Sequence, residues 1–330
     1  MTPAPAEPPG AGAPAPPTPA AAEALAEGAP PVRRRALVAD AALLTVAILW
    51  GFNFVVIKDA IADTGPMTYL LVRHVVAAIM LAALMPRTVR RTRRRDWVYG
   101  AVLGGFLFIA FATQTIGLQW TTPGKSGFIT SLYVVMVPFL YWLVTRRSPG
   151  RLQIGGAVLA TVGLGLLSLR GGLSMSGGDL LTLVGALGFA AQVTATGFFA
   201  PRTSPAVLAL TQIVAATVLF VIVTPFVEHV SLDFGRQAWL AILWTAATGT
   251  VYGFLVQAWA QKATSSTRAA VILGLEGLFA GVFGLVFGFD ALTWRFALGA
   301  ALIVAGVIVI ELVPRRRGEP NPADALPRAD

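Results

Sequence analysis

The chain has 330 residues, 56% of them hydrophobic and only 12% charged, with a formal charge of +9 and a mean hydropathy of +0.72. Soluble domains carry about 25% charged residues, so this composition excludes that class and predicts an all-α polytopic membrane protein. With no cysteine and two histidines, disulfides, thiolate metal sites, cysteine nucleophiles and a histidine metal cluster are excluded, and no cofactor is expected.

Residues 1 to about 31 are mostly Ala, Pro, Gly, Thr and Glu, without an aromatic residue. Such a stretch buries too little apolar surface to offset its ordering entropy, and it lacks the basic-then-apolar pattern of a secretory signal. It reads as a disordered tail over 1–38 that ends in the basic cluster Arg33, Arg34 and Arg35 at the membrane edge.

Ten apolar segments follow, at roughly 39–57, 67–85, 97–119, 126–144, 152–169, 179–199, 205–226, 238–260, 268–288 and 292–312. Several are close to the minimum of about 17 residues for a spanning helix. Helix-end signals separate them, among them Gly65-Pro66, Ser148-Pro149-Gly150 and Ser204-Pro205. Residues 314–330 form a second tail. With the amino terminus in the cytoplasm, 19 of the 25 lysines and arginines fall on the inner side. This positive-inside pattern predicts a multi-pass protein of the cell membrane with both termini cytoplasmic, and it explains the net charge without nucleic acid. Trp97, Trp120, Trp142, Trp239 and Trp294 fall near segment ends, as interfacial anchors do.

The chain repeats itself. At an offset of 139, Asn53 meets Gln192, Pro66 meets Pro205 and Arg73 meets Gln212. At 143, Phe111 meets Phe254, Gln114 meets Gln257, Lys125 meets Arg268, Gly156 meets Gly299 and Gly163 meets Gly306. Two halves, 39–170 and 178–313, would each hold five helices. An odd number per half forces opposite insertion, giving ten transmembrane helices as two inverted five-helix repeats. That architecture places a substrate site near the midplane between the halves.

Inside the apolar run 267–289 stands one carboxylate, Glu276, beside glycines at 274, 277, 281, 284 and 288. Insertion scales charge about 2.5–3.5 kcal/mol for an acid at such depth, so it needs a partner, a proton or a wet cavity. Asn53, Gln114, Gln192 and Gln257 are amides in apolar spans, read equally as interhelical glue or as cavity lining. Tyr133 sits opposite Glu276 in the repeat and is expected to flank the same cavity. Tyr252 and Trp259 are candidates to stack on a substrate, with core packing the stronger reading for Trp259. Arg73 lies within snorkelling reach of the outer interface and takes a structural or gating role. His74 is a candidate titrating group or a packed hydrogen-bond donor. Lys125 and Arg268 read as interface anchors.

Ala47-Ile48-Leu49-Trp50-Gly51-Phe52-Asn53-Phe54, Tyr69-Leu70-Leu71-Val72-Arg73, Leu275-Glu276-Gly277-Leu278-Phe279-Ala280 and Leu298–Gly306 resemble the EamA-type transporters of the drug/metabolite transporter superfamily. The resemblance covers about 39–312. It departs where that family commonly has proline after the ninth-helix glutamate and this chain has Gly277, and the acid usual before helix 10 is found only as Asp290. The resemblance implies secondary transport of a small metabolite, often export of amino acids or related compounds, along a path lined by helices 1, 3, 4, 6, 8 and 9. Proton coupling and facilitated movement both stay open, as does the oligomeric state. A polytopic enzyme such as a lipid-group transferase would want clustered acids or histidines. A channel would want repeated pore motifs. Neither signature is present. No Walker-type phosphate loop occurs.

Overall fold

The structure is a computed structural model that describes residues 29–146, 150–168 and 175–311, and all regular structure there is helical. Residues 1–28 and 312–330, which hold most of the two expected tails, lie outside the described residues, as do Ser148, Pro149 and Arg170. By internal contacts the chain divides into Met1–Val38 and Ala39–Asp330. Residues 29–38 were expected in the tail, but they are helical. Helix α1 runs Ala29–Thr64. Pro30 and Pro31 occupy its first turn, where a missing N–H costs nothing, and the arginines, Ala36 and Leu37 are strong helix formers.

The next helices are α2 (Pro66–Leu84), α3 (Pro86–Arg91), α4 (Arg94–Leu118), α5 (Pro123–Thr130), α6 (Tyr133–Thr145) and α7 (Arg151–Ser168). After them come α8 (Gly177–Phe199), α9 (Pro205–Val227) and α10 (Arg236–Trp244), the last continuing through a π-helical segment, Thr245–Tyr252, into α11 (Gly253–Ala260). Then follow α12 (Ser266–Gly274), α13 (Glu276–Val286) and α14 (Trp294–Glu311). Eight stretches of the described residues are long and apolar enough to cross a membrane. The apolar parts of the fifth and tenth expected segments are shorter, Ile154–Leu166 and Trp294–Gly306.

Packing follows the repeat. Helix α7 lies along α14, α4 lies against α8 and α9, α2 against α9, and α5 against α13. A Cβ on Gly163 would come 2.7 Å from the Gly299 oxygen, and a Cβ on Gly306 would come 2.6 Å from the Gly156 oxygen. The offset of 143 relates Gly156 to Gly299 and Gly163 to Gly306, so the two contacts are equivalent under the repeat. Such reciprocity is the mark of a two-fold relation. Only glycine admits the backbones this closely.

Two spans are interrupted at equivalent places. The fourth breaks at Ser131-Leu132, between α5 and α6, and the ninth breaks at Leu275, between α12 and α13. The Ser131 hydroxyl bonds the Gly274 carbonyl at 2.6 Å and accepts the Gly277 N–H at 3.2 Å. A proline at 277 has no N–H to give, so in this chain glycine supplies a bond across the breaks. Each half-helix then starts with a chemically distinct residue, Tyr133 in one repeat and Glu276 in the other.

Candidate functional site

Between the start of α13 and helices α1, α2, α4 and α8 lies a cavity of about 40 Å³, lined by Trp50, Asn53, Phe54, Arg73, Phe111, Gln114, Thr115, Glu276 and three apolar neighbours. A site of that size holds about three waters. Glu276 is 4% exposed and makes no salt bridge among the described residues. The fully buried Tyr133 hydroxyl lies beside its carboxyl without reaching hydrogen-bond geometry. Position 51 must be glycine because α1 crosses α13 here, and a Cβ would sit 2.5 Å from Phe279 Cβ and 2.8 Å from the Glu276 oxygen.

The far wall is built on Arg73. It lies within reach of the outer interface along the sequence, and in the structure it is 2% exposed and turns inward. Its Nε donates to Thr250 Oγ1 at 2.9 Å, its Cζ lies 4.9 Å over the Phe111 ring, and Nη1 has no partner. Sequence depth alone does not say which face of a helix carries a residue, and here a cation–π contact and a hydroxyl outweigh the pull of the interface. Thr250 belongs to the π-helical segment, whose wider turn re-aims side chains and often accompanies a functional site. Asn53 Oδ1 accepts from Trp244 Nε1 at 3.0 Å, which leaves Nδ2 as a donor without a partner. Trp50 Nε1 bonds the Gly249 carbonyl at 2.8 Å and tilts against Phe254.

Of the residues singled out from sequence, Asn53, Arg73, Gln114 and Glu276 line the cavity, and Tyr133 adjoins it. Gln114 donates to Thr130 Oγ1 at 2.9 Å. Gln192 and Gln257 instead exchange amide bonds, and Gln192 also donates to Gln212. This amide cluster does not line the cavity. His74 is packed against Phe220 and Phe111 with Nδ1 on the Leu70 carbonyl. Tyr252 is 38% exposed and bonds Thr45, and Trp259 is 45% exposed, both outside the cavity. Gly249, Thr250 and Trp244 were not singled out, and the one sequence signal near them is three threonines, at 245, 248 and 250, inside an apolar span.

Lys125 and Arg268 are not simple anchors. Lys125 Nζ pairs with Asp179 at 2.5 Å, and Arg268 pairs with Asp40 through Nε at 3.0 Å and through Nη2. Outside the spans, burial raises the pKa of Asp290 above the ordinary aspartate value, against the pull of its bonds from Thr122 and the Gly124 N–H.

Apolar helices in two related halves, packed around a largely apolar cavity that holds a few polar side chains, define a membrane transporter. The sequence profile of the EamA-like transporter family matches residues 37–169 and again 176–312, and the chain belongs to that family. An uncharacterized transporter of Archaeoglobus fulgidus is 34% identical over 287 residues, covering 86% of this chain and 89% of that protein. The uncharacterized transporter YoaV of Bacillus subtilis is 24% identical, covering 83% of this chain and 97% of its own. A solved crystal structure at 19% identity superposes with a TM-score of 0.64 over 82% of this chain and 96% of its own, a likeness of fold.

Proposed function

We propose that the chain is a ten-helix secondary transporter, two inverted five-helix repeats with both termini cytoplasmic, that exports a small metabolite such as an amino acid or a related compound. The cavity at the Tyr133–Glu276 crossing opens alternately to each side. The observation that carries this reading is Glu276, which lines the cavity without a salt-bridge partner among the described residues, at one of two turns that interrupt the fourth and ninth spans at equivalent positions. Inverted repeats place the substrate site at the interface between the halves, near mid-membrane depth. A cavity of about 40 Å³ is too small for an amino acid, so the bound form requires the repeats to part.

Glu276 is the coupling group in this reading. An unpaired carboxylate at this depth is costly, so it travels with a proton or with a cationic group of the substrate. It loses the proton when the cavity opens to one side and regains it when the other side opens. Arg73 and Asn53 hold the substrate, while Gln192 and Gln257 brace the second repeat.

Uptake and efflux of a metabolite panel in proteoliposomes, with and without an imposed pH gradient, tests the reading. It expects saturable counterflow of at least one compound, accelerated by the gradient and in the outward sense. Absence of counterflow for every compound, with protein correctly inserted, would remove it.

A further inference from the structure

We infer that the transported molecule carries an anionic oxygen group, a carboxylate or similar oxyanion, that docks between Arg73 and Asn53. The inference rests on the transport reading and names the chemistry of one end of its substrate.

The wall at Arg73 and Asn53 presents donors only. Asn53 Oδ1 is engaged by Trp244, so its free group is the Nδ2 amine. Arg73 has Nε on Thr250 and its planar face on Phe111, so the Nη edge is what remains. Both residues are nine-tenths or more buried, with Asn53 3% exposed. Both side chains line the same cavity and pack side by side against Gly249. A Cβ on Gly249 would lie 2.5 Å from Asn53 Nδ2 and 2.9 Å from Arg73 Nη2, so glycine is required there for the two to share one corner. The salt bridges among the described residues join Arg95 to Asp96, Lys125 to Asp179 and Arg268 to Asp40, and none involves Arg73. A buried guanidinium without a carboxylate partner calls for an acceptor of negative charge, and a carboxylate matches its fork.

The repeat supplies an internal control. Asn53, Arg73 and Gln114 correspond to Gln192, Gln212 and Gln257 in the second half. There the three amides close on one another at 3.0–3.4 Å. In the first half the same three positions line the cavity, and Asn53 and Arg73 keep a donor without a partner while Gln114 donates to Thr130. The second-half cluster leaves Gln212 Nε2 without a partner but does not line the cavity, whereas Asn53, Arg73 and Gln114 do.

The test is thermal unfolding of the purified full chain in detergent, with acetate, its neutral isostere acetamide, and chloride as probes at fixed pH and ionic strength. Acetate, with four heavy atoms, is a small organic carboxylate that has a neutral amide isostere. Acetate is expected to raise Tm by a few degrees, while acetamide and chloride leave it unchanged. Asn53→Asp keeps the acceptor for Trp244 and places a carboxylate against Arg73. In that variant the acetate shift is expected to vanish while Tm itself holds or rises. Equal effects of acetate and acetamide overturn the inference. So does an acetate shift that survives Asn53→Asp, and so does an equal chloride shift, which marks a resident inorganic ion. Should the variant fail to fold, the comparison of three probes on the unaltered chain still decides. Loss of this result with counterflow intact removes the anionic group and leaves transport standing.

Discussion

Lys125 Nζ lies 2.5 Å from Asp179 Oδ2, a lysine of the first half holding an aspartate of the second. Its counterpart is Arg268, of the second half, holding Asp40 of the first. The offsets of 143 and 139 relate the members of one pair to those of the other. The two halves therefore grip each other by the same contact made twice. The two pairs differ in burial. Asp179 is fully buried and also accepts from Thr121, whereas the Arg268–Asp40 pair is partly exposed.

That difference predicts unequal costs. Removing one partner of a buried pair leaves an uncompensated charge, at about 3–5 kcal/mol. Lys125→Met is expected to destabilise by that order, and the double change Lys125→Met with Asp179→Asn to recover most of it. Thermal unfolding of the three proteins checks this. A double variant no more stable than the single one would show that the lysine acts by packing and not by charge.

The crossing of α7 and α14 makes a second prediction with a control on the same helix. Gly163→Ala puts a methyl 2.7 Å from the Gly299 oxygen, while a Cβ at Gly155 meets nothing within 4 Å. Overpacking costs about 1–3 kcal/mol, and relief of glycine's backbone freedom returns less than about 1 kcal/mol. Gly163→Ala is expected to lower Tm and Gly155→Ala to hold or raise it. Equal effects at the two sites would contradict the close approach.

Asp290 gives a pH dependence. Its folded pKa stands above the ordinary value of 3.8 because burial disfavours the charge. A raised folded pKa means that its contribution to stability is complete below 3.8 and is lost as pH rises through the folded value. Relative to Asp290→Asn, the unaltered chain is therefore expected to lose stability on going from pH 4 toward neutrality. A difference between the two proteins that stays constant over that range would contradict it.

Topology is open to direct measurement because the chain has no cysteine. Single cysteines at Arg90 and Asp233 should behave oppositely toward an impermeant thiol reagent added outside whole cells. Position 233 is expected to label and position 90 not to label. The reverse result inverts the assignment.

Much of this was legible in the sequence, and the rest was hidden for definite reasons. The offset aligned Lys125 with Arg268 and Tyr133 with Glu276, which located the crossing before any coordinates. It did not reveal the acids at 40 and 179, because isolated aspartates at segment ends look like ordinary boundary residues. The breaks were also hidden. Leu132 and Leu275 are good helix formers, no proline interrupts either break, and what opens the spans there is the Ser131 bond to the facing backbone at Gly274 and Gly277. That bond is tertiary. The inward turn of Arg73 was hidden for the same reason, since Thr250 and Phe111 come from distant helices. Tyr252 and Trp259 carried aromatic promise, yet helix rotation turns both outward.

The central claim is that Glu276 carries a coupling proton in the cavity between the repeats, and one variant examined by two assays tests it most directly. Glu276→Gln keeps the shape of the side chain and fixes the neutral form, so folding should survive. Proteoliposomes holding this variant are expected to lose accumulation driven by a pH gradient while keeping exchange of substrate at equal concentrations, since exchange moves no net proton. Loss of both would mean that the carboxylate binds a cationic part of the substrate. Accumulation at the unaltered rate would contradict the coupling role outright and leave Glu276 as a packing residue.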